Sequence, residues 1–134
     1  MTSGLPGRPP RRNHETAPFW DGCARGAFVL PRCTACGEFI WYPRRFCPFC
    51  ANHSVDWVDT SGRGTIYSFT IMRQGAGPYR ELTPYVLAYV ELAEGPRVLT
   101  NVVGADPDSM YVGQPVHVVF DDVGEGDAIP RFSV

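Results

Sequence analysis

The sequence predicts a mainly β protein: a short N-terminal helical segment, a small cysteine-pinned ribbon, and a C-terminal barrel of about five short strands. Three observations predict it. Four of the five cysteines fall within residues 33–50 as two C-x-x-C pairs. From Val55 onward the chain is rich in β-branched and aromatic residues, in runs separated by Gly- and Pro-rich turns. Before the cysteines, Phe19, Trp20 and Cys23 are spaced to share one side of a helix.

Composition sets the frame. A chain of 134 residues suits one domain or a small domain with an appendage, and 44% hydrophobic residues suffice for a core. The net charge of −2 is close to neutral. All twelve basic residues are arginine, as codon bias in a GC-rich genome would give; selection for bidentate anion contacts is the other reading. No apolar run approaches the ~20 residues that cross a bilayer. The N-terminus lacks the apolar core of a signal peptide. The expectation is a soluble, cytoplasmic protein, and in a reducing cytosol clustered cysteines point to metal rather than disulfides.

Residues 1–14 are Pro-, Gly- and Arg-rich without apolar period, and read as a disordered tail with solvated Arg8, Arg11 and Arg12. Residues 15–30 read as the helical segment, with Thr16 as cap, Pro18 in the first turn and Gly26 at the end. Residues 31–52 form the ribbon, where "FVLPRC" and "EFIWYP" read as short strands flanking the first cysteine pair.

Residues 53–134 form the barrel. "TIYSFTIM", "YVLAYVEL", "RVLTNVVG" and "PVHVVF" are its strands, "AEGPR" is a tight hairpin turn, and "RQGAGPYRELTP" is a loop without regular structure. Closure follows because it removes exposed strand edges. Alternation places Val86, Ala88, Val90 and Leu92 on one side and Tyr85, Leu87 and Tyr89 on the other. By the same rule Tyr67, Phe69 and Ile71 share a side, and His117 faces away from Val116, Val118 and Phe120. Several strands are apolar on both sides, so one outer face should be covered by the helix, the ribbon or another protein.

The cysteine pairs carry the clearest chemistry. A C-x-x-C turn aims two sulfurs at one point, Gly37 allows the turn after Cys36, and Pro48 stiffens the turn between Cys47 and Cys50. Four thiolates suit tetrahedral zinc and leave no position for water, so the ion would be structural. Iron could take the same ligands, and a disulfide or redox pair is a third reading. His53 could replace a ligand, and Cys23 reads as a buried apolar thiol. Small barrels with aromatics also bind single-stranded nucleic acid, but the strands carry almost no arginine, and Asp121, Asp122, Glu125 and Asp127 make the C-terminal end acidic. Such binding ranks second.

In order along the chain stand "PFWDGCARGAFVLPRCTACG", "WYPRRFCPFC", "SGRGTIYSFT", "PYVLAYVELAEGPRVLTNVVG", "VGQPVHVVFDD" and a closing "PRF". This ordered set resembles the zinc-ribbon/OB-fold proteins long labelled domain of unknown function thirty-five, over about residues 17–133. One departure is Ala51, where a glycine or similar turn residue often follows the last cysteine.

The resemblance implies a rubredoxin-like zinc ribbon with Cys33, Cys36, Cys47 and Cys50 as ligands of one structural Zn²⁺, followed by an OB barrel. It implies a non-catalytic accessory subunit of a thiolase-like enzyme acting on coenzyme A thioesters, with the partner carrying the chemistry. The steroid side-chain aldolase branch is the one expected here. Phe19, Trp20, Arg73, Tyr79 and Arg80 are then candidate contacts for partner or acyl-CoA, with Arg25 a further phosphate candidate. The bland readings are a barrel plug for Phe19 and Trp20 and solvated arginine for the rest.

Overall fold

The computed structural model describes residues 3–134. One helix, α1 (Ala17–Ala24), precedes a two-stranded antiparallel ribbon, β1 (Val29–Cys33) and β2 (Val55–Asp59). Five strands then close a barrel: β3 (Arg63–Met72), β4 (Tyr85–Leu92), β5 (Arg97–Val103), β6 (Pro115–Gly124) and β7 (Asp127–Ser133). The order around it is β3-β4-β5-β7-β6, with β6 pairing back to β3. Only β5 and β7 run parallel. No helix is long and apolar enough to cross a membrane among the described residues.

The barrel interior follows the predicted alternation on β4. Val86, Ala88, Val90 and Leu92 are buried with Ile66, Val98, Val102, Val116 and Phe132. Strand β3 serves both neighbours at its start, where Gly64 pairs with Leu92 on one side and Val116 on the other. A Cβ there would stand 2.6 Å from Val90 Cγ1 and 2.7 Å from Glu91 O, so the crossing requires glycine.

A bulge in β3 overturns one side assignment. Ile66 pairs with Val90 and Ser68 with Tyr89, leaving Tyr67 as the extra residue. The extra residue shifts the alternation, so Phe69 packs on the core while Tyr67 is exposed. His117 is exposed, as alternation requires.

Other expectations are corrected. "EFIWYP" is no strand: it makes one isolated bridge, Phe39 with Arg32, and the true partner of β1 is β2. The ribbon sheet therefore extends to Asp59, and the barrel begins at Arg63 rather than residue 53. A 3-10 turn, Gly77–Leu82, occupies the loop expected to be irregular. Thr16 does not cap α1 with its side chain. Its hydroxyl turns back to Asn13, accepting from Asn13 N and donating to Asn13 Oδ1, both at 3.1 Å.

The largest correction concerns the expected tail. Residues 1 and 2 lie outside the described residues, but residues 3–7 form an ordered strap over the outer face of β6 and β7. Arg131 and Asp121 project from that face, their side chains 4% and 6% exposed, joined at 2.6 Å. Ser3 N donates to Asp121 Oδ1 at 2.8 Å, and Arg131 Nη2 donates to Pro6 O at 2.6 Å. Tyr79 Oη donates to the same carbonyl at 3.3 Å. Further along, Arg12 bridges Asp21 on α1 and Asp127 on β7. Arginine thus fastens this segment instead of leaving it solvated.

A buried pair is far costlier to break than to omit, because the survivor keeps its charge without water. Asp121→Ala is therefore expected to lower unfolding free energy by about 3–5 kcal/mol, read as the midpoint shift in urea denaturation of the zinc-loaded protein.

Candidate metal centre

Each C-x-x-C turn is a knuckle, and the two knuckles repeat one another in two backbone hydrogen bonds. Gly37 N donates to Cys33 O at 2.9 Å, and Ala51 N to Cys47 O at 2.8 Å. Cys33 N donates to Glu38 O at 2.9 Å, and Cys47 N to Asn52 O at 2.8 Å. The matching positions both take left-handed backbone, Gly37 with φ +80° and Ala51 with φ +63°. Amides also reach the sulfurs: Cys36 N to Cys33 Sγ at 3.5 Å and Phe49 N to Cys47 Sγ at 3.4 Å.

The knuckles face each other. All four sulfurs lie within 4.8 Å of one another, with Cys33 and Cys50 at 3.6 Å and Cys36 and Cys47 at 3.5 Å. A tetrahedral ion with metal–sulfur bonds of ~2.3 Å has sulfur–sulfur edges of ~3.8 Å, close to these separations. A disulfide requires ~2.05 Å, and all five cysteines are free thiols. His53 stands outside the sulfur cluster.

Electrostatics also favours a cation. The Cys36 amide, donating to Cys33 sulfur, brings the Cys33 thiol down to about 7. The Glu38 amide pulls Cys36 the same way, yet lost hydration and the neighbouring sulfurs leave Cys36 pushed up to about 12. Four sulfurs this close cannot all be thiolates unless a positive ion sits between them.

The comparisons with known proteins fit this geometry. Residues 20–56 match the family description "ChsH2, rubredoxin-like zinc ribbon domain", and residues 57–121 match "ChsH2, C-terminal OB-fold domain". A "DUF35 domain-containing scaffold protein" of Methanothermobacter thermautotrophicus is 36% identical over 70% of this chain and 71% of its own length. The chain belongs to the DUF35 family.

Its fold matches a solved chain described as "Ltp2-ChsH2(DUF35) aldolase", with TM-score 0.82 and 33% identity over 92% of this chain and 97% of that one. A "Benzoylsuccinyl-CoA thiolase subunit BbsA" of Thauera aromatica is 30% identical over 76% of this chain and 69% of its own. A "Probable enoyl-CoA hydratase alpha subunit" of Thermomonospora curvata is 36% identical over 80% of this chain. This DUF35 chain spans only 33% of that relative's length. With the rubredoxin-like zinc-ribbon match, the four sulfurs form the site of one structural zinc: Cys33, Cys36, Cys47 and Cys50 fill its coordination sphere.

The remaining candidate contacts are scattered. Phe19 is wholly buried in the chain's own core, so it is a plug and not a partner contact. Trp20 is half-buried beside it, ring centroids 4.8 Å apart. Arg73 pairs with Asp108 at 2.9 Å and Arg25 with Asp59 at 3.4 Å, both on the surface. Tyr79 is engaged with the strap, whereas Arg80 is exposed. Cys23 is buried, and desolvation pushes its thiol up to about 12, which leaves it a poor nucleophile. The C-terminal acidic cluster is partly neutralised, since Asp121 and Asp127 have arginine partners.

Two outcomes follow from the knuckles. Cys47→Ser should abolish stoichiometric zinc, measured by metal analysis after gel filtration. Ala51→Gly should stabilise the zinc-loaded protein by about 1 kcal/mol, because a β-carbon costs roughly that much in left-handed backbone; chelator competition and thermal unfolding both read it.

Proposed function

We propose that this chain is a non-catalytic accessory subunit. It docks on a thiolase-like enzyme acting on acyl-CoA thioesters, stabilises that enzyme and helps to complete its acyl-CoA site. In its most specific form, the partner is a cytoplasmic retro-aldol lyase of steroid side-chain degradation. The carrying observation is the 33% identical match, along nearly the whole chain, to the DUF35 chain of the Ltp2-ChsH2 aldolase. The likeness to a thiolase subunit supports the broader class.

The chemistry of the chain agrees with a division of labour. Four thiols are committed to zinc, and the fifth is buried with its ionisation suppressed. Full sulfur ligation leaves the metal no position for substrate or water. Of the three arginines weighed for coenzyme A phosphates, Arg73 and Arg25 already hold carboxylates. Arg80 forms no ion pair among the described residues, so it is the arginine we assign to the shared acyl-CoA site.

The test is co-expression with a thiolase-like subunit from the same genome. The two chains should co-purify in fixed ratio, and acyl-CoA cleavage should require both. Turnover of an acyl-CoA by the isolated chain, or no association with any thiolase-like subunit, would overturn the proposal.

A further inference from the structure

The strap covers the outer face of β6 and β7 and reaches the ends of β4 and β5, but among the described residues the middle of the outer face of β3, β4 and β5 is left exposed. It carries Tyr67, Tyr89 and Leu99 at 48%, 46% and 55% exposure. Tyr89 lies opposite Ser68 on β3 and Leu99 on β5, so these residues form one row across three strands.

The row continues onto the zinc ribbon. Leu99 lines a shallow groove with Leu87 and Tyr89, and it also lines a cavity of about 240 Å³ with Trp20, Trp41 and Tyr42. Tyr42 is exposed at 44%. At the other margin, Arg97 stacks 3.8 Å over the Tyr67 ring, and it shares a second groove with Trp41 and the ribbon's Phe49, which is 68% exposed. Aromatic and aliphatic side chains thus recur from the ribbon through β5 and β4 to β3, with Arg97 and Ser68 among them.

Two features describe what would cover it. First, the stripe offers no unpaired cation: the Arg97 guanidinium is spent on Glu91 at 2.9 Å and on the Tyr67 ring, and the other charged side chain lining its grooves is the acidic Glu38. That suits a folded protein surface and not a phosphate backbone, whose affinity rests on unpaired basic residues. Second, the Trp20 indole N–H is buried and has no acceptor among the described residues. Trp20 lines the cavity that opens beside Leu99. A buried donor without an acceptor is costly, and a carbonyl entering that cavity from a partner would satisfy it.

We propose that this stripe, centred on Leu99 and Tyr89, is the face that docks the thiolase-like subunit, an apolar partner segment entering the Trp20–Leu99 cavity. The inference rests on the accessory role proposed above and adds which surface performs it. Because the stripe crosses both lobes, docking depends on the angle between ribbon and barrel, and hence on the zinc.

The experiment co-expresses the chain with a tagged thiolase-like subunit and measures the molar ratio recovered. Leu99→Asp and Tyr89→Asp should each reduce recovery at least tenfold while keeping one zinc per chain. His117→Asp, exposed on β6, should stay within twofold of the parent. If the parent binds and both stripe variants bind equally well, this face is the wrong one while the accessory role stands. If the parent itself fails to bind, the accessory role and this inference fall together. Should the aspartate variants lose zinc, a photo-crosslinking phenylalanine derivative placed at position 89 decides. Crosslinking to the thiolase-like subunit supports the face. Its absence, or crosslinking only between copies of this chain, overturns it.

Discussion

Four sulfurs held around one ion are the constraint on which the rest of the molecule depends. The knuckle end of the ribbon has almost no core of its own: its hydrophobic cluster is Cys33, Ile40 and Cys47 with Val55 packed against them, whereas Leu30 of β1 belongs to the main core. Cys33 and Cys47 are metal ligands, so without the ion little apolar packing holds the two knuckles against each other. What the ion fixes reaches well beyond the ribbon. The segment between the knuckles carries Trp41, whose ring stands 5.3 Å from Phe19 on α1 and 6.2 Å from Phe28. Phe28 in turn meets Phe132 of β7 edge-on at 6.0 Å. Helix, ribbon and barrel therefore share one aromatic junction, and part of the metal's binding energy orients the two lobes.

The parts of this arrangement that were legible in the sequence are those governed by local rules. The four ligand cysteines follow from spacing, because a C-x-x-C turn brings its own sulfurs together and two such turns share one ion, while the choice of zinc over iron rests on the resemblance as well. The inward residues of β4 follow from strict alternation. What escaped reading is set by partners far away in sequence. Arg131 and Asp121 become a buried pair only when Ser3 and Pro6, 118 or more residues away, lie over them. Composition makes such a strap look like a solvated tail. The Tyr67 bulge is likewise invisible, since it is defined by the register of β4 and not by the sequence of β3. Strand β7 hides behind Pro130. That proline is tolerated because β5 pairs with β7 only from Phe132 onward, so its neighbour on that side makes no demand for an N–H.

The resulting surface is unequal, and the inequality is informative. A small barrel with strands apolar on both sides must hide one set of outward residues. The chain solves this on β6 and β7 with its own N-terminus, using a buried arginine–carboxylate pair as the clasp. It leaves β3, β4 and β5 with two tyrosines and a leucine in water. Residues of these types are costly to expose and effective at interfaces, since they bury large area while losing little side-chain freedom.

A rigid surface and little bulk are two properties that usually compete in a small protein. Here 134 residues supply both because a metal replaces the core a ribbon of this size lacks. The same economy explains why Ala51 can occupy a left-handed position opposite Gly37. Zinc bound through Cys47 and Cys50 would hold this knuckle from the sulfur side, so the roughly 1 kcal/mol that a β-carbon costs in left-handed backbone is offset by metal binding.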